Sequence, residues 1–576
     1  MSTIVKNAAS SGDTFFGHPR GLFYLFFTEM WERFSYYGMR AILVLFLVSE
    51  TTGDNPGYGW TDAEAYALYG WYTMLVYVAS IPGGILADRF LGQRRTVMLG
   101  GLLLCGGHGI LAIDALWAFY TGLGLIVAGV GCLKPNISTM VGGLYKNESG
   151  DRRDLGFYIF YMGINLGAFL AALIVGYVGE EIGWHWGFGL AGIGMLVGQL
   201  TFISGQKHLA DVGNLVESNA DEADANLFSG IFQYTNSIIW LVAFLLGGVG
   251  MWYLYGWGYG LLTMGMGVAF AVATVIYNVS TPIERDRLLV VFLSFLLVMF
   301  FWGAFEQAGG LMNVYTSEKT DRVTDLWIIR LIIAAPAVFA LGRGVLDLTR
   351  KKTYAKYWLG LAALLAAVYF LVDRYLFVRD NELFADGLFE VPATWFQSLN
   401  ALFILMFATI VGSFWIGWKM RGRESSAIFK MAIGIIIMGW GFFFMTAAVG
   451  QYNANGESAM IWLVLAYLFH TLGELCASPV ALSFITKLSP ERFVAFMMGF
   501  YFAVTGLGNK IAGSLGELST RVGEGAVFTG IAIFCTLFGI VVILLVKPLK
   551  RLMHGAEDQT PVPLDNKGYE LEEFTD

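Results

Sequence analysis

Residues 83–96 read GGILADRFLGQRRT. The run opens on a pair of glycines, carries Asp88, Arg89, Arg94 and Arg95 within eight positions, and closes on Thr96. On either side the chain is apolar, over about 64–87 before it and 96–114 after it. A helix that crosses a bilayer needs about 20 mostly apolar residues. The run therefore reads as a tight, charged turn between two membrane helices, with Asp88, Arg89 and Arg95 placed to pair across helix ends.

The same length rule marks sixteen candidate spans along the chain. Six come early, at about 21–49, 64–87, 96–114, 117–144, 155–178 and 187–206. An acidic linker with Asp211, Glu217, Asp221, Glu222 and Asp224 follows, then a helical pair at 232–254 and 258–279. One span lies at 287–312, a second pair at 325–346 and 357–378, and five more at 394–418, 428–449, 459–485, 494–516 and 526–546. The expected organisation is an N-terminal six-helix bundle over 1–208 and a linker with an inserted hairpin over 209–285. A C-terminal six-helix bundle over 286–552 holds the extra pair at about 325–378, and an acidic cytoplasmic tail covers 553–576.

Composition agrees. Of 576 residues 56% are hydrophobic and 14% charged, against roughly a quarter charged in soluble domains. The 72 glycines suit close helix packing in lipid. The four cysteines, Cys105, Cys132, Cys476 and Cys535, lie in apolar stretches without metal spacing and read as packing residues. The first 20 residues lack the pattern of a cleavable leader, so the first span is expected to target the chain. Phosphate-binding glycine loops, metal clusters and nucleophile motifs are not found. These observations argue against ATP-driven transport, an enzyme or a nucleic-acid partner, and no cofactor or metal is expected.

Lys and Arg concentrate in alternate loops. One set holds Arg89, Arg94 and Arg95; Lys146, Arg152 and Arg153; Arg285 and Arg287; Arg350, Lys351, Lys352 and Lys356; Lys419, Arg421 and Arg423; Lys487 and Arg492; and Lys547, Lys550 and Arg551. The other set holds chiefly Lys319, Arg322, Arg379 and Arg521. The positive-inside rule then puts both termini in the cytoplasm. The bias persists along the chain only if both extra pairs are spanning hairpins.

The first span reads TEMWERFSYYGMR over 28–40. At 100° per residue, Arg33, Tyr36 and Arg40 fall within about 40° of Glu29, with Glu32 and Tyr37 at the flanks. A charge at mid-membrane costs about 2.5–3.5 kcal/mol, so four facing lipid would cost roughly 10–14 kcal/mol. The stripe must face a protein-lined cavity. A structural ion-pair network is one reading. A protonatable switch is the other, since protonating a carboxylate releases its guanidinium partner.

Further polar residues lie inside apolar runs: Lys134 before Pro135, Asn165, Glu306 with Gln307, Asn400, and Glu474. A lone Asn suits helix–helix contact, but Lys134, Glu306 and Glu474 would be very costly unpaired. The first half thus offers cations to a central cavity and the second half anions. A zwitterion lying across the interface would match both, which points to an amino-acid-like or peptide-like substrate. Tyr36, Tyr37, Tyr77, Tyr161 and Trp302 are candidate pocket aromatics, with plain packing as the alternative.

Two six-span halves around a linker, with the 83–96 motif between spans two and three, resemble major-facilitator transporters, an all-α integral membrane fold that binds substrate near the midplane. Several stretches together resemble the proton-coupled oligopeptide transporter family, bacterial type: ExxERFSYYG from Glu29, GLIVAGVGCLKPN ending at Asn136, FYMGIN from Phe160, FWGAFEQ from Phe301, SLN ending at Asn400, and GELCASP from Gly473. The resemblance implies import of di- and tripeptides driven by protons. It implies that Arg33, Arg40 and Lys134 hold the peptide carboxylate, and that Asn165, Asn400 and Glu474 hold the amino end. Glu29 and Glu32, with Arg33, would couple protons, and Lys134 with Glu306 would form a gating pair. Tyr37, Tyr77, Tyr161, Trp302 and Ser478 would line the pocket. Departures are Gly70 where mammalian members carry histidine, Ala401 where the family has proline, and Tyr501 where it has tryptophan. His108 does not replace the missing histidine by position. The second extra pair is outside the pattern. The short loop from Gln451 to Glu457 leaves no room for the extracellular domain of animal members and favours a bacterial inner membrane. A nitrate or other anion carrier and a drug/proton exporter of the same fold are the rival readings.

Overall fold

The computed structural model describes residues 14–146, 150–215, 230–350, 355–374 and 387–556. The acidic linker residues Glu217, Asp221, Glu222 and Asp224 lie outside the described residues, as do Lys351, Lys352, Arg379 and tail residues 557–576.

The described regions are mainly helical, with three two-stranded pairings of short strands in the connections. The first group is α1 (Arg20–Val48), α2 (Asp62–Leu91), α3 (Gln93–Leu111), α4 (Leu116–Leu144), α5 (Arg152–Ile182) and α6 (Trp184–His208). The inserted pair is α7 (Thr235–Tyr255) and α8 (Trp257–Val279). The long helix α9 (Pro282–Lys319) follows, then the second pair, α10 (Leu326–Thr349) and α11 (Ala355–Val372). The last five are α12 (Trp395–Met420), α13 (Ala427–Asn455), α14 (Ile461–Leu488), α15 (Val494–Val522) and α16 (Glu524–Leu552). Among the described residues, twelve helices are long and apolar enough to cross a membrane. The helices α1, α3, α11 and α15 fall outside that group, and α1 and α15 carry charges well inside the helix.

Local chemistry sets the helix starts. Thr61 caps α2, with Glu64 reaching back to the Thr61 backbone, and Thr281 with Glu284 does the same for α9, where Pro282 fills the first turn. These capping boxes satisfy amide groups that hydrocarbon would leave orphaned. At the 83–96 turn, Gly92 has φ +78°, a conformation that favours glycine, and it separates α2 from α3.

Small residues bring the helices close. α1 packs against α5 and α6; a Cβ on Gly167 of α5 would come within 2.2 Å of the Met30 carbonyl. That approach seals the charged stripe of α1 away from lipid. The second pair is held by its own ion pair, Arg330 Nε to Asp373 Oδ1 at 2.8 Å. Its outer faces, including Leu331, Phe339, Leu364 and Phe370, are exposed and suit lipid contact.

The two groups of helices meet tightly at the end of the bundle where α1 finishes. Asn313 Nδ2 of α9 donates to the Ala41 carbonyl of α1 at 2.8 Å. Glu180 of α5 accepts from the Ala393 and Thr394 amides, each at 2.9 Å, just before α12. Trp395 Nε1 donates to the Leu173 carbonyl at 3.0 Å. A cavity of about 2640 Å³ runs along the helices from Tyr255 and Trp257 at the α7–α8 turn to the opposite end of the bundle. Asp88, Arg89, Arg153, Lys419 and Lys430 line it there.

Candidate functional site

The stripe on α1 is buried: Glu29 is 3%, Glu32 0%, Arg33 3% and Arg40 9% exposed. Arg33 Nε donates to Glu29 Oε1 at 2.8 Å, one helical turn away. It also lies 2.7 Å from Glu32 Oε2, an ion-pair distance without hydrogen-bond alignment. Among the described residues, both Glu32 oxygens, Glu29 Oε2 and Arg33 Nη2 have no hydrogen-bond partner. Two acids thus share one guanidinium in a buried site. Buried polar atoms left unmatched are costly. A proton on a carboxyl and an anionic ligand group on Nη2 are the two additions that would complete the cluster.

Arg40 leaves this group and crosses to the other half. Its Nη1 donates to Glu306 Oε1 of α9 at 2.9 Å, and its Nη2 to Gln397 Oε1 of α12 at 3.4 Å. Tyr69 OH of α2 donates to the same Glu306 oxygen at 2.7 Å. Glu306 can be reached because α9 tightens to a 3₁₀ turn over Glu306–Gly309. Such a mid-helix change often marks a hinge.

The expected Lys134–Glu306 pair is not formed in this arrangement. Arg40 and Tyr69 occupy the Glu306 carboxylate, and Lys134 Nζ instead sits 3.6 Å over the Tyr77 ring. Lys134 remains within electrostatic reach of Arg33, Glu32, Glu29 and Glu306. Pro135 lies inside α4 beside it, where a missing amide donor loosens the helix. Arg40 therefore serves as the bridge between halves, rather than as a free cation beside Arg33.

On the facing wall, Asn400 Nδ2 of α12 donates to Glu474 Oε2 of α14 at 2.8 Å and to Thr471 Oγ1 at 3.1 Å. Glu474 is 8% exposed. Its neighbours Ser478 and Pro479 line the cavity, as do Lys134 and Tyr161. Asn165 donates to the Tyr161 carbonyl of its own helix at 2.9 Å, so its side chain is not directed at Glu474 here. Tyr37 stands among the charges of Arg33, Arg40, Glu306 and Glu474, with the Arg40 guanidinium 4.9 Å from its ring. Trp302, Ser478 and Tyr501 share a small pocket beside the main cavity.

The 83–96 turn differs from expectation in one residue. Asp88 and Arg89 line the mouth of the cavity. Arg95 is exposed, and Arg94 makes the bridge: its Nη2 donates to the Ala210 and Val212 carbonyls at 2.6 and 3.1 Å. Adjacent residues on a helix point about 100° apart, so the choice between them depended on where the segment after α6 runs. Sequence reasoning also passed over Tyr69, Gln397 and Thr471. The signal for Tyr69 was weak, one tyrosine among many.

Two helical groups closed at one end, a cavity with a charged mouth at the other and the Arg40–Glu306 ion pair spanning the seam together define a secondary membrane transporter, not an enzyme. Comparison with known proteins gives the family. A family model described as PTR2, POT family, matches residues 94–329 and 376–529. The chain is 34% identical to the peptide transporter YePEPT of Yersinia enterocolitica, covering 95% of this chain and 98% of that one. It is likewise 34% identical to a di-/tripeptide transporter of Lactococcus lactis subsp. cremoris, covering 95% of this chain and 99% of that one. A crystal structure of a peptide transporter POT in complex with sulfate aligns with TM-score 0.71 at 33% identity, over 94% of this chain and 97% of that one. The chain belongs to the POT family and has the major-facilitator type of fold. The stretch between the two matched segments, 330–375, holds most of α10 and all of α11.

Proposed function

We propose that this protein is a proton-coupled symporter that imports di- and tripeptides by alternating access. The observation that carries the reading is the pairing of Glu29 and Glu32 with a single Arg33 on α1, opposite the Glu474–Asn400 pair on the other half. Cationic groups on one wall and a carboxylate on the other match the two ends of a peptide zwitterion. A small inorganic anion would leave Glu474 without an opposite charge. The relatives named as peptide and di-/tripeptide transporters support the same substrate class.

Arg33 and Lys134 take the peptide carboxylate, and Glu474 with Asn400 takes the ammonium. Asn165 joins them once a side-chain rotation frees it from the Tyr161 carbonyl. Tyr37, Tyr77, Tyr161, Trp302 and Ser478 shape the side-chain space. The halves that rock are 1–208 and 286–552, with sixteen crossings in all and both termini cytoplasmic, in a bacterial inner membrane. The cavity mouth at Asp88 and Arg153 is then the cytoplasmic one, and the arrangement is inward-open. In the outward state a proton on Glu29 or Glu32 loosens the hold on Arg33, which binds the peptide carboxylate. Proton loss to the cytoplasm restores the carboxylate–Arg33 pair, which competes with the peptide and promotes its release. Lys134 meets Glu306 only when Arg40 lets go of it, so the expected gate forms in another state of the cycle.

The test is di-alanine uptake into proteoliposomes, with and without an imposed inward proton gradient. Accumulation above the external concentration, only with the gradient and blocked by excess dipeptide but not nitrate, is the expected result. Gradient-independent equilibration, or no di-alanine movement beside nitrate or drug transport, would refute it.

A further inference from the structure

One buried charge lies outside all the machinery described so far. Lys510 on α15 is 4% exposed. Its Nζ donates to Ser514 Oγ at 3.2 Å and to Glu517 Oε1 at 3.1 Å on its own helix. It also sits 5.1 Å from the Trp71 ring of α2 and 5.2 Å from the Tyr259 ring of α8. Those two rings touch edge to face at 5.1 Å. A single ammonium thus holds together three bodies: the first half through α2, the second half through α15, and the inserted hairpin through α8.

The place is as telling as the contacts. Next to Lys510, α2 and α15 abut backbone to backbone: a Cβ on Gly513 would lie 2.6 Å from the Gly70 Cα. This is the closed end of the seam. When that end opens, α2 and α15 separate and Lys510 must leave Trp71. The bonds to Ser514 and Glu517 travel with α15 and do not change. The state-dependent contacts are therefore the two aromatic faces. Cation–aromatic attraction is strongest when the cation is desolvated, as it is here. Elsewhere the hairpin presents Leu246, Tyr253 and Trp257 outward, and all are exposed. Its fastening to the seam runs through Tyr259 and through Gly258, where a Cβ would lie 3.1 Å from the Trp71 ring.

The geometry points to Lys510 as a positioning residue through which the inserted hairpin α7–α8 braces the seam in its closed-end state. The brace rests on the alternating-access reading and adds a function for the hairpin. It lets α8 set the balance between the two states without touching substrate.

Spin labels at Asp54→Cys and Glu457→Cys, both in exposed loops at the closed end, report that balance by pulsed electron–electron distances in nanodiscs, in a background lacking the four native cysteines. Lys510→Met and Tyr259→Leu are each expected to raise the long-distance to short-distance ratio roughly five- to thirty-fold, the range expected for one desolvated cation–aromatic contact. The double variant is expected to go no further than Lys510→Met, which already removes both ring contacts, and Tyr259→Phe to match wild type. A merely structural role would lower thermal stability without moving the ratio. The brace is overturned if Tyr259→Leu leaves the ratio within twofold of wild type, or if the two substitutions add. Tyr259 lies on the hairpin, outside both halves, so its variant keeps the test decisive should Lys510→Met not fold. A wild-type distribution that neither di-alanine nor pH can move would instead refute alternating access itself.

Discussion

Arg40 Nη1 and Glu306 Oε1 lie 2.9 Å apart although 266 positions separate them in the chain. They come from α1 and α9, on opposite sides of the seam, and both are nearly excluded from solvent. Tyr69 reinforces the carboxylate from a third helix at 2.7 Å. The pair therefore ties the two halves together at this end of the bundle. Removing one partner of a buried ion pair typically costs about 3–5 kcal/mol, because the other charge stays buried and unmatched. Arg40→Ala is expected to lower the thermal midpoint by several degrees and abolish uptake. The double variant Arg40→Ala with Glu306→Gln is expected to regain most of the stability but not the uptake. Thermal unfolding of the single and double variants, closed as a double-mutant cycle, checks this. Additive losses would mean the two residues act separately.

The carboxylate of Glu474 on the facing wall accepts from a neutral group, the Asn400 amide, which also donates to Thr471 Oγ1. A peptide ammonium would supply the missing positive charge. Glu474→Gln keeps the shape and removes that charge. Hydrogen bonds to charged groups contribute about 1.5–3 kcal/mol, roughly a 10- to 100-fold change in affinity. Competition assays should show that loss for di-alanine. The same variant should make little difference to an N-acetylated dipeptide, which wild type is expected to bind poorly. Equal losses for both ligands would show that Glu474 is structural.

The stripe on α1 was legible because lipid makes charge expensive, so four charges in one apolar helix demand a protein-lined surround from the sequence alone. The helix positions were legible for the same reason, since hydrocarbon thickness sets a length that the sequence must meet. What a linear reading lacks is distance between halves. Arg40, not Lys134, meets Glu306 because the 3₁₀ turn at Glu306–Gly309 and the closed seam decide the partner. Lys510 escaped notice in a glycine-rich run, GLGNKIAGSLGEL over 506–518. Its signal was Glu517 seven positions on, two turns along the same helix face.

Gly70 and Gly513 mark the closest approach of α2 to α15. A side chain on Gly513 would collide with the Gly70 Cα and the Tyr66 carbonyl, each 2.6 Å from the new Cβ. Backbone cannot yield there, so the seam cannot close. Gly513→Val is expected to hold the protein open at that end, retaining peptide binding while net uptake and exchange both fall below a tenth of wild type. Peptide binding by microscale thermophoresis beside proteoliposome exchange separates this from misfolding, which would remove both. Normal exchange would mean that the seam opens and closes elsewhere.

Lys134 rests 3.6 Å over the Tyr77 ring, on the wall of the cavity. The contact lets a cation wait in a low-dielectric site without a carboxylate partner. Tyr77→Phe keeps the ring and should leave uptake within about twofold of wild type. Tyr77→Leu removes the π face and should weaken transport at least fivefold, the equivalent of about 1 kcal/mol. Initial rates of di-alanine uptake at fixed proton gradient distinguish them. If Phe and Leu behave alike, the hydroxyl rather than the ring is what matters.

Glu32 has two oxygens without a hydrogen-bond partner among the described residues and shares Arg33 with Glu29. Glu29 has the aligned bond, so of the two acids Glu32 holds its ion pair more loosely. A proton arriving in this site would find at Glu32 the carboxylate whose neutralisation sacrifices least. Glu32→Gln imitates the protonated form and fixes it. Arg33 is then permanently available to a peptide carboxylate, and the step that returns it to the acid is lost. Binding and exchange of one dipeptide for another need no net proton movement, so both should survive within a few-fold. Accumulation against a gradient needs the return step, so it should vanish. Counterflow of labelled di-alanine beside gradient-driven uptake, in the same vesicles, reads the two separately. Normal accumulation by Glu32→Gln would move proton coupling to another acid, with Glu29 the next to test; loss of counterflow as well would make Glu32 a structural member of the cluster.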